Sequence, residues 1–165
     1  MNRKIIGLIS ATALFVSASI TPAAAGTATT TLGVSLTITA GCTVSSSPVA
    51  FAGQSVLAAA VTATGTVTVT CTNTTTYTVA LDQGAGTGAT VTTRTMQGPA
   101  SATISYGLYR DGAWSQNWGK TAGTDTASGT GNGSAQNITV YGKVPAQTSP
   151  AAGSYADTVN VTVNF

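Results

Sequence analysis

Leu32-Gly33-Val34-Ser35-Leu36-Thr37-Ile38, running on through Thr39 and Ala40 to Gly41-Cys42, is the stretch on which the fold turns. Its apolar residues recur at every second position, the spacing of a β-strand that buries one face. Such a strand has two possible destinations: the core of its own domain, or a groove in a neighbouring subunit.

What precedes it reads as an export signal. Arg3 and Lys4 form a basic head, residues 5–20 are largely apolar, and Ala23-Ala24-Ala25 offers a small-residue cleavage site. Residues 1–25 are therefore expected to be a secretory signal peptide. A retained anchor fits less well, because Ser10, Thr12, Ser17 and Ser19 interrupt the apolar run and Pro22 ends it. No later segment is long and apolar enough to span a bilayer, so the mature product is expected to be exported.

Beyond residue 25 the basic residues are Arg94, Arg110, Lys120 and Lys143, and the acids are Asp82, Asp111, Asp125 and Asp157. The mature chain is formally neutral, and the overall charge of +2 belongs to the signal. Scattered cations build no basic patch for nucleic acid or an anionic membrane. A neutral surface of Thr, Ser, Asn and Gly also lacks the charge that keeps monomers apart, and so suits self-association.

Cys42 and Cys71 are the only cysteines. Behind an export signal, they are expected to form a disulfide that staples two early strands. Closing that loop is worth roughly 3 to 4 kcal/mol on the chain-entropy model. A metal site would want more ligands, and a redox pair a closer spacing.

The rest of the chain reads as strands separated by turns. Val49-Ala50-Phe51, residues 65–71 and residues 77–81 are β-branched or aromatic with period two, and residues 102–110, 134–144 and 155–165 follow. Asp111-Gly112 suggests a tight hairpin that sets Leu108-Tyr109 opposite Trp114. Residues 56–64, rich in alanine, allow a helical turn. The Gly-rich run 123–133 reads as an exposed loop. The sum is an all-β sandwich or barrel of one domain.

Chemistry is scarce. The chain contains neither His nor Glu, which removes the usual general bases and metal ligands. No catalytic, cofactor-binding or metal-binding residue is expected, and no small-molecule substrate. Asp111 is explained by turn chemistry. Trp114 and Trp118, with Tyr106 and Tyr109, suit either a core or a sugar-stacking platform. Four Asn-X-Ser/Thr triplets, at Asn73, Asn132, Asn137 and Asn160, carry little weight in so Thr-rich a chain.

At the other end Tyr155, Val159, Val161, Val163 and Phe165 share one face and the sequence stops. If no strand follows, the sandwich is one strand short beside this segment, and an open edge aggregates unless it is capped.

The linked motifs Gly41-Cys42-Thr43-Val44, Tyr106-Gly107-Leu108-Tyr109-Arg110-Asp111 with Trp118-Gly119, residues 140–145, and Gly153-Ser154-Tyr155-Ala156-Asp157 leading to Phe165 carry a resemblance. They resemble the spore coat protein U domain family, which includes pilin subunits of archaic, Csu-type, chaperone-usher pili. The resemblance implies an incomplete immunoglobulin-like β-sandwich, completed by a donor strand from a neighbouring subunit. It makes residues 26–40 an N-terminal donor-strand extension, with Leu32, Val34, Leu36 and Ile38 as plugs. Residues 41–165 become the pilin domain, Cys42 and Cys71 match the family disulfide, and Tyr155 to Phe165 match the terminal strand that a chaperone covers. Thr30 and Ala28 fill the outer pockets weakly. The implied partners are other pilus subunits in a fibre, a periplasmic chaperone and an outer-membrane usher. The implied role is a non-enzymatic shaft subunit, secreted through the periplasm to the cell surface, for adhesion and biofilm formation. Two other readings are a spore or cell-surface coat protein with the same domain, and a secreted carbohydrate-binding β-sandwich using Trp114 or Trp118.

Overall fold

The computed structural model describes residues 23–165, so most of the expected signal peptide lies outside the described residues. Residues 37–165 form one compact unit. They hold eight strands: β1 (Cys42–Ser47), β2 (Val61–Cys71), β3 (Thr76–Leu81), β4 (Arg94–Gln97), β5 (Thr103–Tyr109), β6 (Ala127–Thr130), β7 (Ala135–Val144) and β8 (Val161–Asn164). Beside them stands a single 3₁₀ turn, Pro99–Ser101. Two antiparallel sheets result, ordered β1-β2-β7-β5-β4 and β6-β3-β8. The fold is an all-β, immunoglobulin-like sandwich.

Alternation decides which side chains enter the core. On β2, Val67, Val69 and Cys71 are buried, while Thr62, Thr64, Thr66, Thr68 and Thr70 lie on the opposite, outer face. Beside them on the same sheet are Tyr106 and Leu108 of β5 and Val140 of β7, and across the core stand Tyr77, Val79 and Leu81 of β3. Cys42 and Cys71 are directly opposite in the β1–β2 register and are joined by a disulfide.

Several sequence expectations are corrected. Val49-Ala50-Phe51 is no strand: it passes over the sheet at two glycines of β2 and β7. A Cβ at Gly65 would stand 2.8 Å from Val49 Cγ2, and one at Gly142 2.9 Å from Phe51 Cζ. That crossing needs both positions bare. The alanine-rich run makes no helix, because β2 begins at Val61 and takes its pairing from β7. The stretch read as an exposed loop contains β6, which pairs with β3 from Thr76↔Thr130 to Val79↔Ala127. Its small residues gave no strand signal; Gly129 is needed there because the Tyr77 ring lies over it.

The Asp-Gly hairpin is longer than two residues. Tyr109 pairs with Asn117, and Trp114 sits inside the turn at φ 53°. Asp111 opens that turn by accepting hydrogen bonds from the amides of Ser115 (3.0 Å) and Gln116 (2.8 Å). Residues 155–165 are strand only over Val161–Asn164, with a single bridge from Ala156 to Gln97. The run divides its pairing between β4 of one sheet and β3 of the other. Lastly, residues 32–38 adopt no regular secondary structure. An alternating run becomes a strand only where it finds an edge to pair with.

Candidate functional site

Among the described residues, β1 pairs only with β2 and β8 only with β3, so each has one edge without a strand partner. A groove of about 330 Å³ lies between the sheets, lined by Ser46 and Ser47 of β1, Val67, Leu81, Leu108 and Val140 of the core, and Tyr155, Val159 and Val161. The core's own side chains form its floor. A neighbouring cavity of about 670 Å³, bounded by the 51–57 and 149–155 loops, shares Phe51, Met96 and Tyr155 with the groove. Those three side chains mark the waist between the two.

The terminal run follows the expected alternation. Tyr155, Val159, Val161 and Val163 are half-buried, whereas Thr158, Asn160, Thr162 and Asn164 are exposed. Phe165 departs from it: this side chain is 62% exposed and borders a separate hollow beside Thr76 and Thr130.

Two carboxylates hold the run in place. Asp157 accepts a hydrogen bond from the Tyr106 hydroxyl (2.7 Å) and another from the Ala85 amide (2.8 Å). Burial, reinforced by that bond to Asp157, pushes the Tyr106 phenol well above its ordinary pKa, so it remains a donor. Asp82 accepts from the Asn160 amide (2.9 Å), the Asn160 side chain (2.6 Å) and the Gly84 amide (2.9 Å). Partial burial works against its charge. The Asn160 and Gly84 hydrogen bonds and the nearby Arg94 outweigh it, holding the carboxyl below its ordinary value of 3.8.

The sign of the resulting pH dependence follows from that lowered pKa. The Asp82 pin contributes fully above pH 3.8 and is lost as pH falls through the lower folded-state value. On acidification below about pH 4, the wild type is expected to lose more stability than Asp82→Asn, which cannot titrate there. Urea midpoints recorded from neutral pH downward check this; parallel curves for the two proteins would refute it.

Behind the groove, Trp118 and Arg94, both fully buried, tie the sheets together. The Trp118 indole donates to the Val79 carbonyl on β3 (2.9 Å), and its backbone amide donates to Leu108 of β5 (2.9 Å). Arg94 spreads its guanidinium over the carbonyls of Asp82 (2.8 Å), Val91 (2.8 Å), Leu81 (3.2 Å) and Trp118 (2.8 Å). Burial lowers its pKa, but an arginine starts so high that it keeps its charge. Sequence reasoning missed this residue, although a lone cation amid a β-branched, nearly uncharged sequence was the available clue.

The remaining site residues of the sequence reading are on the N-terminal segment. Leu32, Val34, Leu36 and Ile38 are between 76% and 90% exposed. Ala28 and Thr30 are exposed as well. Of the suggested aromatic platform, Trp118 and Tyr106 belong to the interior, while Trp114 and Tyr109 lie elsewhere on the surface, half-buried.

A family model described as the Spore Coat Protein U domain matches residues 28–162. The chain belongs to the Spore Coat Protein U domain family. Its match takes in both the exposed apolar row and the start of β8. Among solved structures, this Spore Coat Protein U domain is similar to a chain in the CsuC-CsuE chaperone-tip adhesion subunit pre-assembly complex from archaic chaperone-usher Csu pili of Acinetobacter baumannii. The TM-score is 0.59 at 20% identity, over 78% of this chain and 41% of that one. The domain thus spans less than half of that neighbour's length, and the likeness is one of fold. No curated protein matches the chain at a significant level.

Proposed function

We propose that this chain is a non-enzymatic structural subunit of an extracellular chaperone-usher pilus, polymerised by donor-strand complementation. One observation carries the reading: the same chain has an open groove floored by its core and an exposed row of four alternating apolar side chains. Each supplies what the other lacks. The stretch from Leu32 to Ile38, extended, is about 20 Å long, the scale of an ordinary strand. Placing four such side chains in a groove is worth roughly 6 to 12 kcal/mol before ordering costs, and backbone pairing along β8 adds to this.

In this proposal residues 1–25 direct export, residues 26–40 are the donor extension and residues 41–165 the accepting domain. A periplasmic chaperone first covers the groove beside Tyr155, Val159, Val161 and Val163, with Phe165 at the far end of the run standing outside it. At an outer-membrane usher the Leu32–Ile38 strand of the next subunit then takes its place. The finished fibre serves surface attachment and biofilm formation. The family likeness and the Csu pilus neighbour support this reading.

The test uses a variant lacking residues 26–38 and a synthetic peptide spanning residues 29–40. A strand that binds the folded state at a hundredfold excess over its Kd stabilises it by about 2.7 kcal/mol. The peptide is expected to raise the variant's unfolding midpoint accordingly, and a peptide with Asp at positions 36 and 38 is not. Equal effects of the two peptides would end the donor assignment.

A further inference from the structure

The outer face of the larger sheet carries a second cluster that the groove does not use. Cross-strand register sets Tyr109 beside Tyr141 and Gly107 beside Lys143 on β5 and β7. The Tyr109 ring folds over Gly107, where a Cβ would stand 2.6 Å from its hydroxyl. The 110–116 loop returns to the same face: a Cβ at Gly112 would lie 3.3 Å from the Tyr141 ring. Trp114, in that loop, has the Lys143 ammonium 5.3 Å from its ring centroid. Three aromatic rings thus gather on one side of the molecule, with Thr64 of β2 in register beside Tyr141.

Unmet hydrogen bonding concentrates in the same loop. Among the described residues, the buried side-chain polar atoms without a partner are Arg110 Nε, Trp114 Nε1, Asn117 Nδ2 and Asn117 Oδ1. All four belong to residues 110–117. Orphaned polar atoms of this kind are costly, and native proteins rarely keep several together without a purpose. Trp114 also holds a left-handed backbone (φ 53°), a conformation that strains a bulky residue. Local charge is balanced: Lys143 and Arg110, whose guanidinium donates to the carbonyls of Thr126 (3.0 Å) and Thr124 (3.2 Å) on either side of Asp125, stand against Asp111 and Asp125, and Asp111 is already occupied by Ser115 and Gln116.

We propose that the 110–117 loop and the Tyr109–Tyr141 face form a lateral site for a neutral glycan chain. The C–H face of a hexose packs on Trp114, while its hydroxyls meet donors and an acceptor that lack protein partners. Balanced charge disfavours polyanions and polycations alike. Because the orphaned atoms are covered, binding requires the loop to shift, and strained Trp114 is where it gives way. This face is separate from the groove and takes no part in strand exchange.

The test is tryptophan emission of the full-length protein titrated with cellohexaose and mannohexaose, with an alginate hexamer as the acidic comparison. Trp118 is fully buried, so a ligand-dependent change reports Trp114. At least one neutral hexamer is expected to bind, and more tightly than alginate. Trp114→Phe should stay within about threefold, and Trp114→Gly should weaken binding by about tenfold or more, measured by calorimetry. Glycine suits the left-handed backbone, so the unfolding midpoint of Trp114→Gly is expected not to fall. Failure of both neutral hexamers to bind, full binding by Trp114→Gly, or a preference for alginate would each overturn the proposal. Strand exchange would be untouched by any of these results.

Discussion

Replacing Leu36 and Ile38 together with aspartate is expected to abolish polymerisation while leaving an exported, disulfide-bonded subunit able to bind its chaperone. Both side chains are exposed in the single chain, so the exchange costs the subunit's own fold little. In the proposed fibre they are plugs, and each loses about 1.5 to 3 kcal/mol of burial. Each also brings a carboxylate that an apolar groove can hold only by desolvating it. Two such defects outweigh most of what four plugs contribute, and assembly should fail outright. Heat-resistant multimers on gels, taken from cells that also make the chaperone and usher, are the readout. Multimers at wild-type level would show that another segment joins the subunits.

The second large effect concerns the subunit alone. Arg94→Ala is expected to destabilise the domain by at least about 4 kcal/mol, counting about 1 kcal/mol for each of four carbonyls left without a donor. Those carbonyls belong to Leu81, Asp82, Val91 and Trp118, and their shared partner is fully buried. Arg94→Lys should rescue little, because one ammonium cannot reproduce a planar fork that serves four acceptors. Urea denaturation at neutral pH measures both variants. A loss below about 1 kcal/mol for Arg94→Ala would mean that the carbonyls are satisfied by other means. Arg94 bridges β4 to the end of β3, so the groove floor should loosen with it.

How much of this was legible in the sequence depends on whether a residue's role is local. The Thr-Val alternation of residues 65–71 gave β2, and the terminal alternation gave the inward face of Tyr155, Val159, Val161 and Val163, because period two is a property of neighbours in the chain. The cysteine pair was equally accessible, since only one pairing exists. β6 was hidden: in Ala127-Ser128-Gly129-Thr130 only the threonine favours a strand, and the segment is one because β3 offers it an edge. Trp114 was expected on the facing strand and lies instead inside the turn, because the Asp111 carboxylate, not the Asp-Gly pair, sets the length of that turn. The role of Arg94 was hidden for a related reason: its unusual setting hinted at a buried cation, but its acceptors lie between 3 and 24 residues away. Of the candidate site, the apolar row was legible, but the groove was not: its lining comes from both sheets and is assembled only in three dimensions.

The position of the disulfide has a mechanical consequence. Cys42 follows Ile38 by four residues and is the first residue of β1, matched directly to Cys71 at the last residue of β2. In a fibre joined as proposed, tension from the preceding subunit would enter the domain just ahead of Cys42. Without the bond, that pull would peel β1 from β2 one hydrogen bond at a time, starting at the loaded end. The bond passes the load covalently to β2, which is paired with β7 over ten residue pairs from Val61↔Val144 to Thr70↔Ala135. In such a fibre a small all-β domain would meet tension as a clamped joint rather than a zip, with β1, one lip of the groove, shielded from the pull.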